Sequence, residues 1–572
     1  MDCSTPQMSS RFIQSEETYD FVVTEDELNN LQQRPDCVQP INEQYQVVYY
    51  SRRNLPPLSI GQYSYSAIPK CFWLMDSTAL DVSGILRLQN QPGLSLKGSG
   101  VLMGIVDTGI DYSNPLFRDE AGNSRILSIW DQTGDAATGI PPEGFLYGVE
   151  YTREAINQAL ATENPEELIP TADTEGHGTF LASVAAGGAD EENDFVGGAP
   201  LSELVIVKLK PAKQNLRDFF YFPREELLYQ ENDIMTGIAY LDMIAKRENR
   251  PLVILLGVGS NQGSHVGSDP LSEYLNTIGS ARGRAVVVPS GNQAVARQHF
   301  YGRATNPLVP VRAEINVPDG VEGLCMELWA YAPEQVRVVL QSPTGQLSQG
   351  GFPISEDTQT TEYIFENTVV TINYRVAGRR RGDLLAFIRF TRPSEGIWTL
   401  LVYPQNSITG DFHVWLPIRV ATNVAQEREV VFVRPDPDTT LTTPSAASIP
   451  ITVGGYDALP GAMYIPSGRG YDPLGRVKPE LCAPAVNVAG AGLRENHVTY
   501  TGTSAAAAVT AGATAQALEW GINLGIAPGM NSVEVKNLLI RGSNREENMV
   551  YPNPEWGYGK LDIYQSFEQL RE

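Results

Sequence analysis

Four short motifs in this chain carry residue types that can together break an amide bond. The tetrapeptide Gly502-Thr503-Ser504-Ala505 opens a run of small residues that continues to Ala513. Alanine is the best helix former, so the run predicts a buried helix starting at Ser504. A serine there lies where unpaired N–H groups and the positive end of the helix dipole can stabilise an oxyanion. A serine that merely caps the helix has the same local sequence and no chemistry. The apolar run from Val101 ends in Asp107-Thr108-Gly109, which puts an acid at the C-terminal end of a buried strand, where ligands and catalytic groups gather in open α/β sheets. Asp-Thr-Gly also marks aspartic proteases, but these need a second such aspartate, and the chain has no second Asp-Thr/Ser-Gly. His177 stands between Gly176 and Gly178 at the head of another small-residue helix pattern, and glycines there let substrate backbone approach an imidazole. The apolar strand Ala285–Val288 runs into Pro289-Ser290-Gly291-Asn292, which reads as an ordinary turn or as an amide donor aimed at a developing oxyanion.

Composition narrows the setting. With 572 residues the chain is long enough for two to four domains, and its net charge is −25. That charge argues against nucleic acid or an anionic membrane as a partner, because both need a basic surface. No run approaches 18 uninterrupted apolar residues, so no membrane-spanning helix is expected. Residues 1–30 are polar and acidic, without a basic start or an apolar stretch, and no signal peptide is expected. Cys3, Cys37, Cys71, Cys325 and Cys482 are scattered and form no Cys-x-x-Cys. Neither a zinc site nor a disulfide framework is expected, and reduced thiols in a protein made in the cytoplasm are the simplest expectation. His265, His299, His413 and His497 lie in looser surroundings than His177 and are expected at the surface or in turns.

Taken together the motifs follow the chain order Asp107, His177, Asn292, Ser504, and the sequence resembles the subtilisin family (S8) of serine proteases, in which aspartate precedes histidine and histidine precedes serine. The match covers most of residues 76–300 and 436–572, with further agreement at Lys478–Pro484 and Trp556–Asp562. The resemblance implies a serine endopeptidase with Ser504 as nucleophile, His177 as general base and acid, Asp107 orienting the imidazole, and Asn292 with the Ser504 N–H as oxyanion donors. It also implies that Gly257, Val258 and Gly259, with Ser290 and Gly291, line the cleft and pair with substrate backbone as an added strand. Ala505 and Ala508 replace the Met and Pro that usually follow the serine, without removing a reacting group. Leu116 stands where many subtilisins place an acidic calcium ligand, so no metal and no cofactor are expected.

The remaining sequence must position these groups and cover them. Asn292 and Ser504 are 212 residues apart, roughly 130 more than a bare subtilisin domain needs, which is about one domain. The expected fold is α/β: a subtilisin-like parallel sheet with helices on both faces, an inserted all-β jelly-roll domain, and a small α+β N-terminal prodomain. The corresponding boundaries are 1–75 for the prodomain, 76–305 and 433–572 for the two parts of the subtilase domain, and 306–432 for the insert. Strand-like runs at Gln335–Leu340, Leu384–Phe390, Gly396–Tyr403 and Gly410–Leu416 mark the insert. In the N-terminal segment Tyr19–Val23, Glu25–Gln33 and Tyr45–Tyr50 read strand, helix, strand, and prodomain cleavage is expected between Tyr63 and Thr78. This combination resembles the clostridial spore-germination subtilases, the Csp family. The resemblance implies a self-processing enzyme, packed in the spore, whose protein substrate is a cortex-lytic zymogen and whose own prodomain sits in the cleft. A non-catalytic germination sensor or scaffold with a plugged cleft, and a general degradative subtilase, remain the alternatives.

Overall fold

The computed structural model describes residues 6–29, 33–74, 83–91, 94–135, 139–349, 358–377, 381–405, 407–418 and 429–570. Its short apolar runs assemble into one eight-stranded sheet. The strand order is Leu481–Pro484, Ile451–Tyr456, Arg284–Pro289, Leu252–Leu256, Leu102–Asp107, Glu203–Lys208, Ile126–Asp131 and Val149–Thr152. All neighbours are parallel except the last pair, which is antiparallel. The central strands are apolar throughout because both faces are covered. In Leu252–Leu256, Val253 and Leu255 join the core beneath the His177 helix, His177–Ala186, while Leu252, Ile254 and Leu256 join the core beneath the helix Glu231–Arg247.

The serine helix spans Thr503–Leu518, one residue earlier than expected, and every one of its residues is buried. Its alanines make it thin enough to lie against five sheet strands and the His177 helix at once. Among the described residues, no helix is long and apolar enough to cross a membrane.

Residues 299–432 contribute two antiparallel sheets. One has six strands in the order His299–Arg303, Asp411–Trp415, Gly323–Ala330, Asp383–Thr391, Thr368–Ala377 and Thr358–Tyr363. The other has four, Val336–Gln341, Gly396–Pro404, Val311–Val317 and Val431–Phe432. Alternation sorts the strand Gly323–Ala330: Leu324, Met326 and Leu328 enter the core between the sheets, while Cys325 and Trp329 face an apolar layer shared with Tyr65, Phe219 and Phe220. Phe219 stacks on Phe387 in that layer, with centroids 5.7 Å apart.

At the N-terminus, Thr18–Thr24, Tyr45–Ser51 and Cys37–Pro40 form a three-stranded antiparallel sheet. The strand Cys37–Pro40 was not expected, and the helix expected over 25–33 spans Glu25–Asn29 among the described residues. Lys213 Nζ meets Asp20 Oδ1 at 2.5 Å where this sheet docks, and both side chains are almost fully buried.

Two expectations are corrected. Cys37 is disulfide-bonded, whereas reduced thiols were expected; Cys71, Cys325 and Cys482 are free and buried. Spacing along the chain does not report which sulfurs meet in space. His265, His299 and His413 are not surface residues: they are at most 7% exposed and form a stack around Trp415. His265 lies 3.7 Å from the indole, and His299 Nε2 meets His413 Nδ1 at 3.0 Å. His265 places Nδ1 2.9 Å from the Leu441 carbonyl and Nε2 3.1 Å from the Asn261 carbonyl, of which the neutral ring can donate to one, and His299 Nδ1 lies 3.2 Å from the Asp436 carbonyl. Only His497, which meets Asp190 at 3.0 Å, stays partly exposed.

Candidate active site

Three separate elements bring the reacting residues together. Asp107 ends its strand and is fully buried. Its Oδ1 accepts a hydrogen bond from the Thr108 N–H at 2.8 Å and lies 2.7 Å from His177 Nδ1. His177 begins its helix, and its Nε2 is 3.2 Å from Ser504 Oγ. Ser504 is the second residue of its helix, so the unpaired N–H groups and positive dipole end of that helix surround its hydroxyl. A carboxylate, an imidazole and a hydroxyl in this line can move a proton off the serine and hold the resulting imidazolium.

The glycines around His177 have a structural role that differs from the one expected. Gly176 has φ +84°, the left-handed conformation that turns the chain into the helix. At Gly178, a Cβ would come within 2.2 Å of the Gly109 carbonyl. The glycine therefore lets the turn after Asp107 press against the His177 helix, where Thr108 Oγ1 accepts from the Gly178 N–H at 2.8 Å.

Asp173 is the residue that the motif reading passed over. It is 5% exposed. Oδ1 accepts from the N–H groups of Glu175 and Gly176 at 3.1 and 2.8 Å, and Oδ2 from the Thr179 N–H and hydroxyl at 2.9 and 2.7 Å. This carboxylate ties down the first turn of the helix that carries His177. Its signal was present in the sequence as an acid four residues before the histidine, at the mouth of a predicted helix.

Asn292 is joined to the serine helix through Thr503, another residue given no role beforehand. Asn292 Oδ1 accepts from the Thr503 N–H at 3.0 Å and from the Thr503 hydroxyl at 3.1 Å. The same hydroxyl accepts from the Gly291 N–H at 3.1 Å. Fixing the carboxamide oxygen fixes the plane in which the amide NH2 can donate.

The expected cleft residues gather beside these groups. A Cβ on Gly257 would lie 2.6 Å from Asp107 Oδ2 and 2.8 Å from His177 Cε1, so this backbone passes directly against the pair. Val258 and Gly259 form a short strand that pairs antiparallel with Cys71–Leu74 of the chain itself, Val258 opposite Leu74 and Gly259 opposite Trp73. The other end of Cys71–Leu74 pairs with Tyr229–Gln230. Antiparallel pairing directs the Leu74 end toward Gly257, and hence toward His177. The Ser290 carbonyl accepts from the Thr442 N–H at 3.0 Å and the Gly291 carbonyl from the Gly468 N–H at 2.7 Å. Among the described residues, no group of three or more His, Cys, Asp or Glu could hold a metal ion.

Comparison with known proteins gives consistent matches. The family model of the subtilase family matches residues 98–318 and 416–559. Subtilisin-like protease SBT2.1 of Arabidopsis thaliana is 30% identical over 129 residues, covering 22% of this chain and 14% of that protein. Subtilisin-like protease SBT2.3 of the same plant is 29% identical over 101 residues, covering 17% of this chain and 12% of that protein. The chain thus spans only about a seventh of the length of these relatives. The solved structure of the Clostridium perfringens CspB protease superposes with a TM-score of 0.74 at 28% identity, covering 86% of this chain and 96% of that one.

Proposed function

The chain belongs to the subtilase family, and on that premise we propose that it is an active serine endopeptidase that cuts its own N-terminal segment. One observation carries this reading: Cys71–Leu74 lies as an added strand on Val258–Gly259, with its C-terminal end directed at the aligned Asp107, His177 and Ser504. Ser504 Oγ attacks the carbonyl of the scissile bond while its proton passes to His177 Nε2. The Ser504 N–H and the Asn292 NH2 stabilise the oxyanion. The tetrahedral intermediate then collapses, the C–N bond breaks, and His177 returns the proton to the leaving amine. Water, activated by the same imidazole, releases the acyl group, and Asp107 stabilises the imidazolium in both halves.

Residues 1–75 then act as a prodomain that stays in the cleft, and the inserted sandwich as a jelly-roll accessory domain. The strand pairing favours a cut beyond Leu74. Within the window Tyr63–Thr78, residues 75–78 lie outside the described residues. Similarity to the Clostridium perfringens CspB protease supports a Csp-like task, the processing of a cortex-lytic prohydrolase packed with the enzyme in the spore. The full burial of Ser504 favours one second reading, a scaffold whose cleft remains plugged.

A denaturing gel separates the two. Wild-type protein is expected as two fragments and Ser504→Ala as one. A wild-type chain that stays whole and ignores a fluorophosphonate probe leaves only the scaffold.

A further inference from the structure

Residues 55–70 connect the N-terminal sheet to the strand Cys71–Leu74, and this connector runs between the sandwich and the protease sheet domain. Its Ile60, Tyr65 and Ile68 join an apolar layer with Phe387 of the sandwich and Phe219 of the protease domain. A carboxyl group, that of Glu327, is buried at the same layer and is 3% exposed.

Glu327 gathers donors from all three parts. Its Oε1 accepts from the Tyr65 hydroxyl of the connector. Its Oε2 accepts from the Gly263 N–H of the protease domain at 3.1 Å and from the Trp329 indole of its own strand at 3.0 Å. The Tyr65 hydroxyl in turn accepts from the Gly263 N–H at 2.8 Å. Packing does not call for a charge here, because apolar groups of the same shape would hold such a layer at least as firmly. A buried carboxyl costs free energy unless donors surround it, so Glu327 is fully satisfied only with the connector in place. Tyr65 is also coupled to the strand in the cleft. Lys70 Nζ donates to the Tyr65 and Ile68 carbonyls at 3.1 and 2.8 Å, and the Ala67 and Ile68 N–H groups donate to the Ser64 carbonyl at 3.0 and 3.3 Å. Residues 64–70 are therefore one compact turn that leads directly into Cys71. The protease loop that reaches Tyr65 through Gly263 also reaches Cys71, whose N–H donates to Gln262 Oε1 at 3.0 Å.

We propose that the sandwich is a latch on the cleft: Glu327 holds Tyr65, Tyr65 holds the turn 64–70, and that turn keeps Cys71–Leu74 paired with Val258–Gly259. The latch rests on the reading of residues 1–75 as a segment that occupies the cleft, and it sets when the strand can leave. The N-terminal sheet has attachments of its own, Asp20 to Lys213 and the Val22 N–H to the Ala67 carbonyl at 2.9 Å. Opening the latch thus frees the cleft while the sheet stays docked. The movement that opens it is a shift of the sandwich strand Gly323–Ala330, which carries both Glu327 and Trp329.

Amide hydrogen exchange on the full chain, in a Ser504→Ala background, tests the latch without requiring catalysis. Tyr65→Phe should speed exchange at residues 72–74 about tenfold or more and leave Thr18–Thr24 and Tyr45–Ser51 unchanged. Glu327→Gln should act in the same direction from the sandwich side, because a carboxamide NH2 opposes one of the three donors. Tyr63→Phe is the matched control, since that hydroxyl donates to the Pro56 carbonyl at 2.9 Å within the connector; it should change nothing at residues 72–74. Unaltered exchange there in Tyr65→Phe, acceleration spread equally over the N-terminal sheet, or an equal effect of Tyr63→Phe would each overturn the proposal. If Tyr65→Phe does not fold, the same outcomes in Glu327→Gln decide. With Ser504 restored, cut Tyr65→Phe protein should hydrolyse an added peptide spanning residues 68–80 faster than cut wild type. A chain that never cuts, yet shows the expected exchange, refutes self-cleavage and leaves the latch standing.

Discussion

Asp173 touches neither substrate nor the reacting atoms in this geometry, yet its removal should slow the reaction. Its carboxylate accepts four hydrogen bonds at 2.7–3.1 Å, all from the loop and first turn that present His177. In Asp173→Ala these donors lose their acceptor in a site only 5% exposed. Loss of a helix-capping acid costs about 0.5–2 kcal/mol, and hydrogen bonds to charged groups about 1.5–3 kcal/mol each. The four act on one turn and do not add, so about 3 kcal/mol of stability is the expected loss. Loosening that turn moves an imidazole that must hold 2.7 Å to Asp107 and 3.2 Å to Ser504. A displacement of about 1 Å at such a site lowers the rate about a hundredfold. Asp173→Asn should fall between, about tenfold: its carbonyl can still serve Glu175 and Gly176, but its NH2 then opposes the Thr179 N–H. The assay is cleavage of an internally quenched peptide spanning residues 68–80 by protein from which the cut N-terminal segment has been stripped, with urea unfolding in parallel. kcat should fall while KM stays within about twofold, because Val258–Gly259, on which the peptide pairs, is untouched. A folded Asp173→Ala with wild-type kcat, or one whose loss lies entirely in KM, refutes the reasoning.

Three further outcomes follow from the same geometry. Asn292→Ala should lower kcat on that peptide by about 10²–10³ with little change in KM, and a KM effect alone would remove Asn292 from oxyanion stabilisation. Burial pulls His265 and His299 down to about 4, and pulls His413 down as well. The unfolded chain therefore binds more protons than the folded one between about pH 4 and 6.5, and stability falls as pH is lowered through that window, by up to about 3 kcal/mol per ring. Burial pushes the carboxyl groups of Asp269 and Glu327 up to about 7, which acts in the opposite sense, so the readout is the difference in slope between wild type and His299→Gln, which should be the flatter. Asp20→Ala leaves Lys213 buried without its carboxylate, at a cost of about 3–5 kcal/mol. After cleavage its N-terminal segment should separate on size-exclusion chromatography while that of wild type co-elutes; co-elution of both would show that the pair does not hold the segment.

What the sequence made legible, and what it hid, divides along a physical line. Local composition placed Asp107, His177, Asn292 and Ser504 at the ends of strands and the starts of helices, but left Ser504 as a cap or a nucleophile and Asn292 as a turn or a donor until their order along the chain was read together. The large sheet was legible for the same reason: strands covered on both faces are apolar without alternation. The three buried histidines were not. His299 and His413 are polar residues in strands, and whether such a face meets water or another sheet depends on a partner far along the chain. The glycines at 176 and 178 were correctly singled out but given the wrong partner, because a glycine records that something comes close without recording what. Asp173 and Thr503 lay inside or beside motifs already in view; they were passed over because neither reacts. Their contribution is to immobilise residues that do, which is a property of hydrogen-bond geometry and not of residue type.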